Sequence, residues 1–282
     1  MKGEGCSKII LYGLSATVLA CLLLLTFHQR TDRLERQQVS VVALGDSVFG
    51  LIRDDTSIPA QLERGLGKSV FNGSFGGTCI SRIDSEHRLT RAIDSFSLAG
   101  LTKAVAADDF GVQQTARIRE SNTEYFADTV DGLEKIDFSS VELVIIMHGL
   151  NDFYESVPIY NEEDPLDEYS FTGALRSSLL ALRQANPNMR ILLVTPTYTW
   201  HLYSGLTCEE YNGGNGIQED YVQAEIEVAE ELGVELIDVY HGLYPHEKWE
   251  DWELYTFDGL HPNEAGRELL TDIICDYLKE NP

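Results

Sequence analysis

Gly45-Asp46-Ser47 ends an apolar run, Val41 to Leu44, that reads as a buried strand. A serine hydroxyl displayed there would sit at the carboxyl end of a strand, where open α/β sheets keep their ligand sites. Three further signals hold similar positions. Asn72 to Thr78 (NGSFGGT) follows a second apolar run, and His148 to Asp152 (HGLND) follows a third. Asp258 to Asn263 (DGLHPN) precedes the last helical segment. Each alone has a structural explanation: Gly, Asp and Ser build turns, Asn and Asp cap helices, and Pro262 suits a first helical turn. Together they are harder to dismiss. On average residue usage, Gly-Asp-Ser, Gly-x-Asn-Asp and Asp-x-x-His would share a chain of this length on the order of once in a thousand.

These residues can complete a reaction. A serine hydroxyl is a weak nucleophile until a base takes its proton. His261 can be that base, and Asp258, three residues earlier, can reach Nδ1–H and leave Nε2 facing the serine. Attack on an ester creates an oxyanion that needs donors already in place. The Ser47 N–H, a backbone N–H of the Gly76-Gly77 turn and the Asn151 amide are the candidates. Glycine in the turn lets backbone approach without a Cβ in the way.

Such a site needs strands that end at one edge. Apolar runs recur at helix-sized intervals: VSVVAL, SVFNGS, VELVIIMHG, RILLVTPTY and VELIDVY. Helical patterns lie between them. Leu175, Leu179 and Leu182 share a face, as do Val222, Ile226 and Ala229. Leu269, Leu270, Ile273, Ile274 and Tyr277 form a stripe in the last segment. Alternating strands and helices imply βαβ units and a parallel sheet covered on both faces. Residues 84 to 125 fit the alternation poorly and are expected as helices and loops inserted near the sheet rim.

With these blocks the chain resembles the SGNH (GDSL-type) hydrolase family. Gly45-Asp46-Ser47 matches its first block, Gly149-Leu150-Asn151-Asp152 its third and Asp258-Gly259-Leu260-His261-Pro262 its last. The resemblance implies Ser47 as nucleophile, His261 as base and Asp258 as its partner. It places Ser47, Asn151 and a second-block glycine in the oxyanion hole. The glycine five residues after Asn72 is Gly77, with Gly76 as the alternative. It also implies a flavodoxin-like three-layer α/β/α sandwich and no cofactor. Residues 84 to 125 match no block.

The Gly-x-Ser-x-Gly elbow of α/β-hydrolases is absent around Ser47, there is no phosphate-binding Walker loop, and no His/Cys cluster suggests a metal. His148, His201, His241 and His246 are scattered and read as loop or rim residues, His201 as a candidate pocket wall. The aromatic clusters YTWHLY (198–203) and KWEDWELY (248–255) read first as packing, and otherwise as a surface for stacking a sugar ring. Cys275 lies on the last apolar stripe and reads as a buried thiol. Cys79 and Cys208 fall in rim loops, as free thiols or as a disulfide that an oxidising exterior would permit.

The chain of 282 residues is 43% apolar, enough for a sizeable core. Its formal charge of -25 argues against nucleic acid as a partner, since phosphate binding needs clustered cations. The charge is uneven. Residues 1–36 carry five cations and three anions, and the remainder 16 cations and 43 anions. Ile9 to Phe27 is 19 residues without a charge, about 28 Å of helix and one hydrocarbon core. Its length and the lack of a small-x-small site after it favour an uncleaved anchor over a cleaved signal. The expected layout is a tail at 1–8, the anchor at 9–27, a linker at 28–37 and one hydrolase domain at 38–282. Two Lys before the span and three Arg after it leave the positive-inside rule undecided; an acidic domain outside the membrane is the expectation. The leading reading is a membrane-tethered serine esterase for short acyl esters, O-acetyl first, on surface glycans. The alternatives are an acyltransferase using the same acyl-enzyme and a non-catalytic glycan-binding domain of the same fold.

Overall fold

Alternation along the strands explains the architecture. On the first strand, β1 (Val41–Gly45), Val41 and Ala43 join one apolar cluster while Val42 and Leu44 join another. Successive side chains of a strand point to opposite faces, so a sheet buried on both faces needs apolar residues at every position. The same split recurs in β3 (Leu143–Met147) and β4 (Arg190–Val194). With the short strands β2 (Val70–Asn72) and β7 (Glu235–Ile237) they form a five-stranded sheet, order β2-β1-β3-β4-β7, with every pairing parallel. Val41 stands opposite Val70 on one side and Leu143 on the other. β5 (Trp200–His201) and β6 (Leu206–Thr207) form a separate antiparallel pair. The computed structural model describes residues 36–83, 91–118 and 122–282.

Ten α-helices are described, in chain order α1 (Ser47–Gly50), α2 (Ile58–Leu66), α3 (Leu98–Ala107), α4 (Gly111–Thr115), α5 (Phe126–Lys135), α6 (Leu150–Tyr154), α7 (Phe171–Ala185), α8 (Gln218–Leu232), α9 (Trp252–Tyr255) and α10 (Glu264–Glu280). α2 and α10 cover the face that carries Val41 and Ala43, through Ile58, Leu62, Leu270, Ile274 and Leu278. α3, α5, α7 and α8 cover the other face. The result is the expected three-layer α/β sandwich. Cys275 is buried in the α10 layer as its place on the stripe implied.

Residues 98–107 depart from the expectation of a rim insertion. α3 is a covering helix, packed along α7, with Leu98, Ala99, Leu101, Ala104 and Val105 all buried. The anchor expected at 9–27 lies outside the described residues. Among those residues no helix is long and apolar enough to cross a membrane.

Counted within the sheet, the strand order is 2-1-3-4-5, which reverses direction between β1 and β3. Crevices at such a reversal, beyond the carboxyl ends of the strands, are where open α/β sheets bind ligands. Ser47 follows β1 directly, and Asn151 follows β3 by four residues.

Candidate active site

Gly45 and Met147 end their strands side by side. A Cβ on Gly45 would lie 2.6 Å from the Met147 carbonyl oxygen, so any larger residue would push the two strand ends apart. Asp46 then caps α1, its Oδ1 accepting from Val48 N–H at 2.9 Å. This cap turns the chain sharply and presents the half-buried Ser47 at the first helical position. Burial pushes the Asp46 carboxyl up to about 6, against its bond from Val48 N–H and the nearby His261, which both pull it down.

The last block arrives from the far end of the chain. Asp258 Oδ1 accepts the backbone N–H groups of Leu260 and His261 at 3.0 and 2.7 Å. These bonds fold the loop so that Asp258 Oδ2 meets His261 Nδ1 at 2.7 Å. Nε2 of the same ring lies 2.8 Å from Ser47 Oγ. Burial raises the Asp258 carboxyl's preference for a proton, but the bonds from the His261 ring and backbone together hold it below its ordinary value. It is therefore an anion when it faces the imidazole. Gly259 sits at φ +84° with its Cα against β5: a Cβ would meet the Trp200 carbonyl oxygen at 2.4 Å. Trp200 N–H donates to the Gly259 carbonyl at 2.9 Å, which ties the loop to the β5–β6 pair.

The second and third blocks meet beside Ser47. Asn151 Nδ2 donates to the Thr78 carbonyl at 2.9 Å and, over a longer 3.3 Å, to Asp46 Oδ2. Asp152 is fully buried and accepts from Ile80 N–H at 2.7 Å, Ser81 N–H at 3.0 Å and the Ser81 hydroxyl. Burial still pushes this carboxyl up to about 6. Asp152 is thus a tie between the loop after β2 and the loop after β3. The Gly76 N–H is occupied by the Tyr125 hydroxyl at 2.7 Å. Gly77, at φ +73°, is exposed, and its N–H and that of Ser47 have no acceptor among the described residues.

Ser47, Asp258, His261, Asn151 and the Gly76-Gly77 turn are therefore assembled in one place. Other sequence readings change. His148 follows β3 in the strand-end loop, as expected, but it is buried there, 3.3 Å from Thr78 Oγ1, and burial drives its imidazole down to about 3, so it is neutral. Cys79 and Cys208 are separate buried thiols, as is Cys275. The YTWHLY cluster divides, Tyr198 and Trp200 being buried and Tyr203 exposed. His201 stacks on Tyr211 with ring centres 4.4 Å apart and on Tyr154 at 5.7 Å. Tyr154 ends the short helix that carries Asn151, and the Asp258 charge adds to the burial that keeps its phenol protonated. Among the described residues no group of three or more His, Cys, Asp or Glu side chains could hold a metal.

Residues 43–269 match the GDSL-like lipase/acylhydrolase family, and the chain belongs to it. It is a hydrolase of ester bonds. Several solved structures share the fold. One, a protein from Lactobacillus plantarum, is 18% identical, with a TM-score of 0.62 over 86% of this chain and 98% of its own. Est24, a carbohydrate acetylesterase from Sinorhizobium meliloti, is 16% identical, with a TM-score of 0.51 over 86% of this chain and all of its own (100%). A family two carbohydrate esterase from Clostridium thermocellum, in complex with cellohexaose, is 15% identical, with a TM-score of 0.52 over 87% of this chain and 65% of its own. No curated protein matches the chain in sequence.

Proposed function

We propose that the chain is a serine esterase that removes short acyl groups, O-acetyl first, from glycans, with Ser47, His261 and Asp258 as its triad. The contact that carries this reading is His261 Nε2 to Ser47 Oγ at 2.8 Å, with Asp258 on the opposite ring nitrogen. Ser47 Oγ attacks the ester carbonyl carbon while its proton passes to Nε2. Asp258 holds the tautomer that leaves Nε2 free and steadies the imidazolium once it forms. The negative charge on the former carbonyl oxygen is met by the N–H groups of Ser47 and Gly77 and by the Asn151 amide. Asn151 keeps its shorter bond to Thr78 as an anchor and exchanges the longer one to Asp46 for the oxyanion. Nε2 then protonates the departing sugar oxygen, leaving an acyl-serine. Water attacks that ester with His261 again as base, and carboxylate and free serine result.

The glycan part rests on the stacked rings of Tyr154, His201 and Tyr211, which suit the apolar face of a sugar. Two of the structures that share the fold belong to carbohydrate esterases. The uncharged run Ile9 to Phe27 supports a single membrane anchor that holds the domain outside the cell near its substrate. The test is labelling with a fluorophosphonate probe, mapped to its peptide, beside acetate release from an acetylated oligosaccharide. Label on Ser47 and acetate in solution are expected. Label elsewhere would overturn the triad, and acetyl transfer to an added sugar in place of acetate would move the enzyme to the acyltransferases.

A further inference from the structure

The Tyr125 hydroxyl lies between two glycines of the site. It accepts the Gly76 N–H at 2.7 Å. A Cβ built on Gly76 would meet it at 3.1 Å, and one on Gly50 at 3.0 Å. Gly50 is the last residue of α1, one turn after Ser47, and the Gly76 Cβ position is 3.6 Å from Ser47 Cβ. One hydroxyl thus touches both the nucleophile's helix and the loop that carries Gly77.

The ring that bears this hydroxyl is itself held. The Arg53 guanidinium stands over it, 4.3 Å from the ring centre. Arg53 also donates to Thr129 Oγ1 at 2.5 Å and to the carbonyls of Asn72 and Ser74 at 3.3 and 3.4 Å. Thr129 Oγ1 donates in turn to the Tyr125 carbonyl at 2.9 Å. Next in sequence, Phe126 packs edge-on against Phe75, the residue before Gly76, with ring centres 4.9 Å apart. Phe75 N–H is tied to the Gly45 carbonyl at 2.9 Å and the Thr78 hydroxyl to the Phe75 carbonyl at 2.6 Å, but the turn between Phe75 and Thr78 is two consecutive glycines, the residues with the most backbone freedom to lose. Its amide is useful to a transition state only if its direction is fixed beforehand.

We propose that Tyr125, seated by Arg53, is a positioning residue that locks the Gly76-Gly77 turn so that Gly77 N–H points at the developing oxyanion. This rests on the esterase reading, and it adds to that reading a residue from the stretch that matches no family block. The hydroxyl removes Gly76 N–H from the set of oxyanion donors and leaves Gly77 N–H in it. An effect on the transition state alone should spare substrate binding.

The experiment compares wild type, Tyr125→Phe, Gly50→Ala and the double variant on an acetyl aryl ester, with melting temperature as the check on folding. Tyr125→Phe is expected to lower kcat at least tenfold and to keep KM within twofold. The inhibition constant of an arylboronic acid, which forms a tetrahedral serine adduct, should rise by the same factor. Gly50→Ala, whose new methyl would stand 3.0 Å from the hydroxyl, 3.3 Å from the Ser74 carbonyl oxygen and 3.4 Å from the Gly76 nitrogen, crowds that same bond and should also lower kcat. In the Tyr125→Phe background it should add little, because both changes act on one contact. Should Tyr125→Phe fail to fold, Gly50→Ala alone carries the test through the same split of kcat from KM. Wild-type kcat in Tyr125→Phe, additive losses, or a KM that changes in step with kcat would overturn the proposal. Ser47→Ala in the same assay separates the two ideas: full activity there would overturn Ser47 as the nucleophile, and with it the site that Tyr125 is argued to position.

Discussion

Ser47 Oγ and His261 Nε2, 214 positions apart in sequence, stand 2.8 Å from each other. Parallel strands make this meeting possible, because every strand delivers its following loop to the same edge of the sheet. The expected outcome for Ser47→Ala is loss of ester hydrolysis and of fluorophosphonate labelling with an unchanged melting temperature, since one hydroxyl at a strand-end turn is removed. Asp258→Asn should leave Ser47 in place but slow turnover by about 10⁴-fold, and slow labelling with it, through the wrong imidazole tautomer. Turnover of a simple aryl ester by Ser47→Ala at the wild-type rate would refute the assignment.

Asn151 should act only as charge develops. Its amide is anchored on the Thr78 carbonyl and needs no substrate to hold it. Asn151→Ala is expected to lower kcat by about 10²–10³-fold and to leave KM nearly unchanged. Steady-state kinetics on the acetyl ester check this. A change in KM alone would make Asn151 a binding residue instead.

The strand-end blocks were legible because each pairs a short apolar run with residue types that do recognisable chemistry. Parallel topology then brought Ser47, Asn151 and His261 together without any distance being known. Helix 98–107 was not legible, because Leu98, Ala99, Leu101, Thr102, Ala104 and Val105 bury most of its circumference and leave no polar face to read. The neutral state of His148 was hidden for another reason: it depends on burial against Thr78, 70 positions away. Tyr125 gave no signal at all. A tyrosine beside a phenylalanine reads as packing, and nothing local tells that its hydroxyl ends on Gly76. Such partners fall outside any local pattern.

Glu225 makes the domain's stability depend on pH. It lies on α8, is buried, and neither carboxyl oxygen has a hydrogen-bond partner among the described residues. Burial pushes it well above its ordinary value, and the charges of Asp152 and Asp238 add to the shift. A carboxyl raised in the folded state gives its full stability below its unfolded value, and loses it as pH rises through the folded one. Glu225→Gln carries no charge at any pH. Its melting temperature should match wild type near pH 4 and exceed it by at least about 2 °C at pH 8, roughly 1 kcal/mol for a domain of this size. Asp46, raised to about 6, acts in the same direction but is present in both proteins and cancels. Asp152, also raised to about 6, interacts with the Glu225 charge, so losing that charge also relieves Asp152 at high pH and adds to the difference. Equal melting temperatures at both pH values would show that Glu225 has polar partners in solution.

The acyl group should be short. A formal charge of -25 repels anionic lipid surfaces and fatty-acid products. The stacked Tyr154, His201 and Tyr211 rings, only partly buried, offer flat faces with polar edges beside the Asn151 helix. Such faces fit a hydroxyl-bearing ring better than a flexible alkyl chain. An anchor at residues 9–27 would also hold the site where surface glycans are dense, so that weak intrinsic affinity suffices. The comparison to make is kcat/KM for acetyl, butyryl and octanoyl aryl esters with residues 38–282. Acetyl is expected to lead octanoyl by at least tenfold, about 1.4 kcal/mol in transition-state stabilisation. A clear preference for octanoyl would mean that the rings pack against an alkyl chain, and it would turn the search for the natural substrate from glycans to lipids.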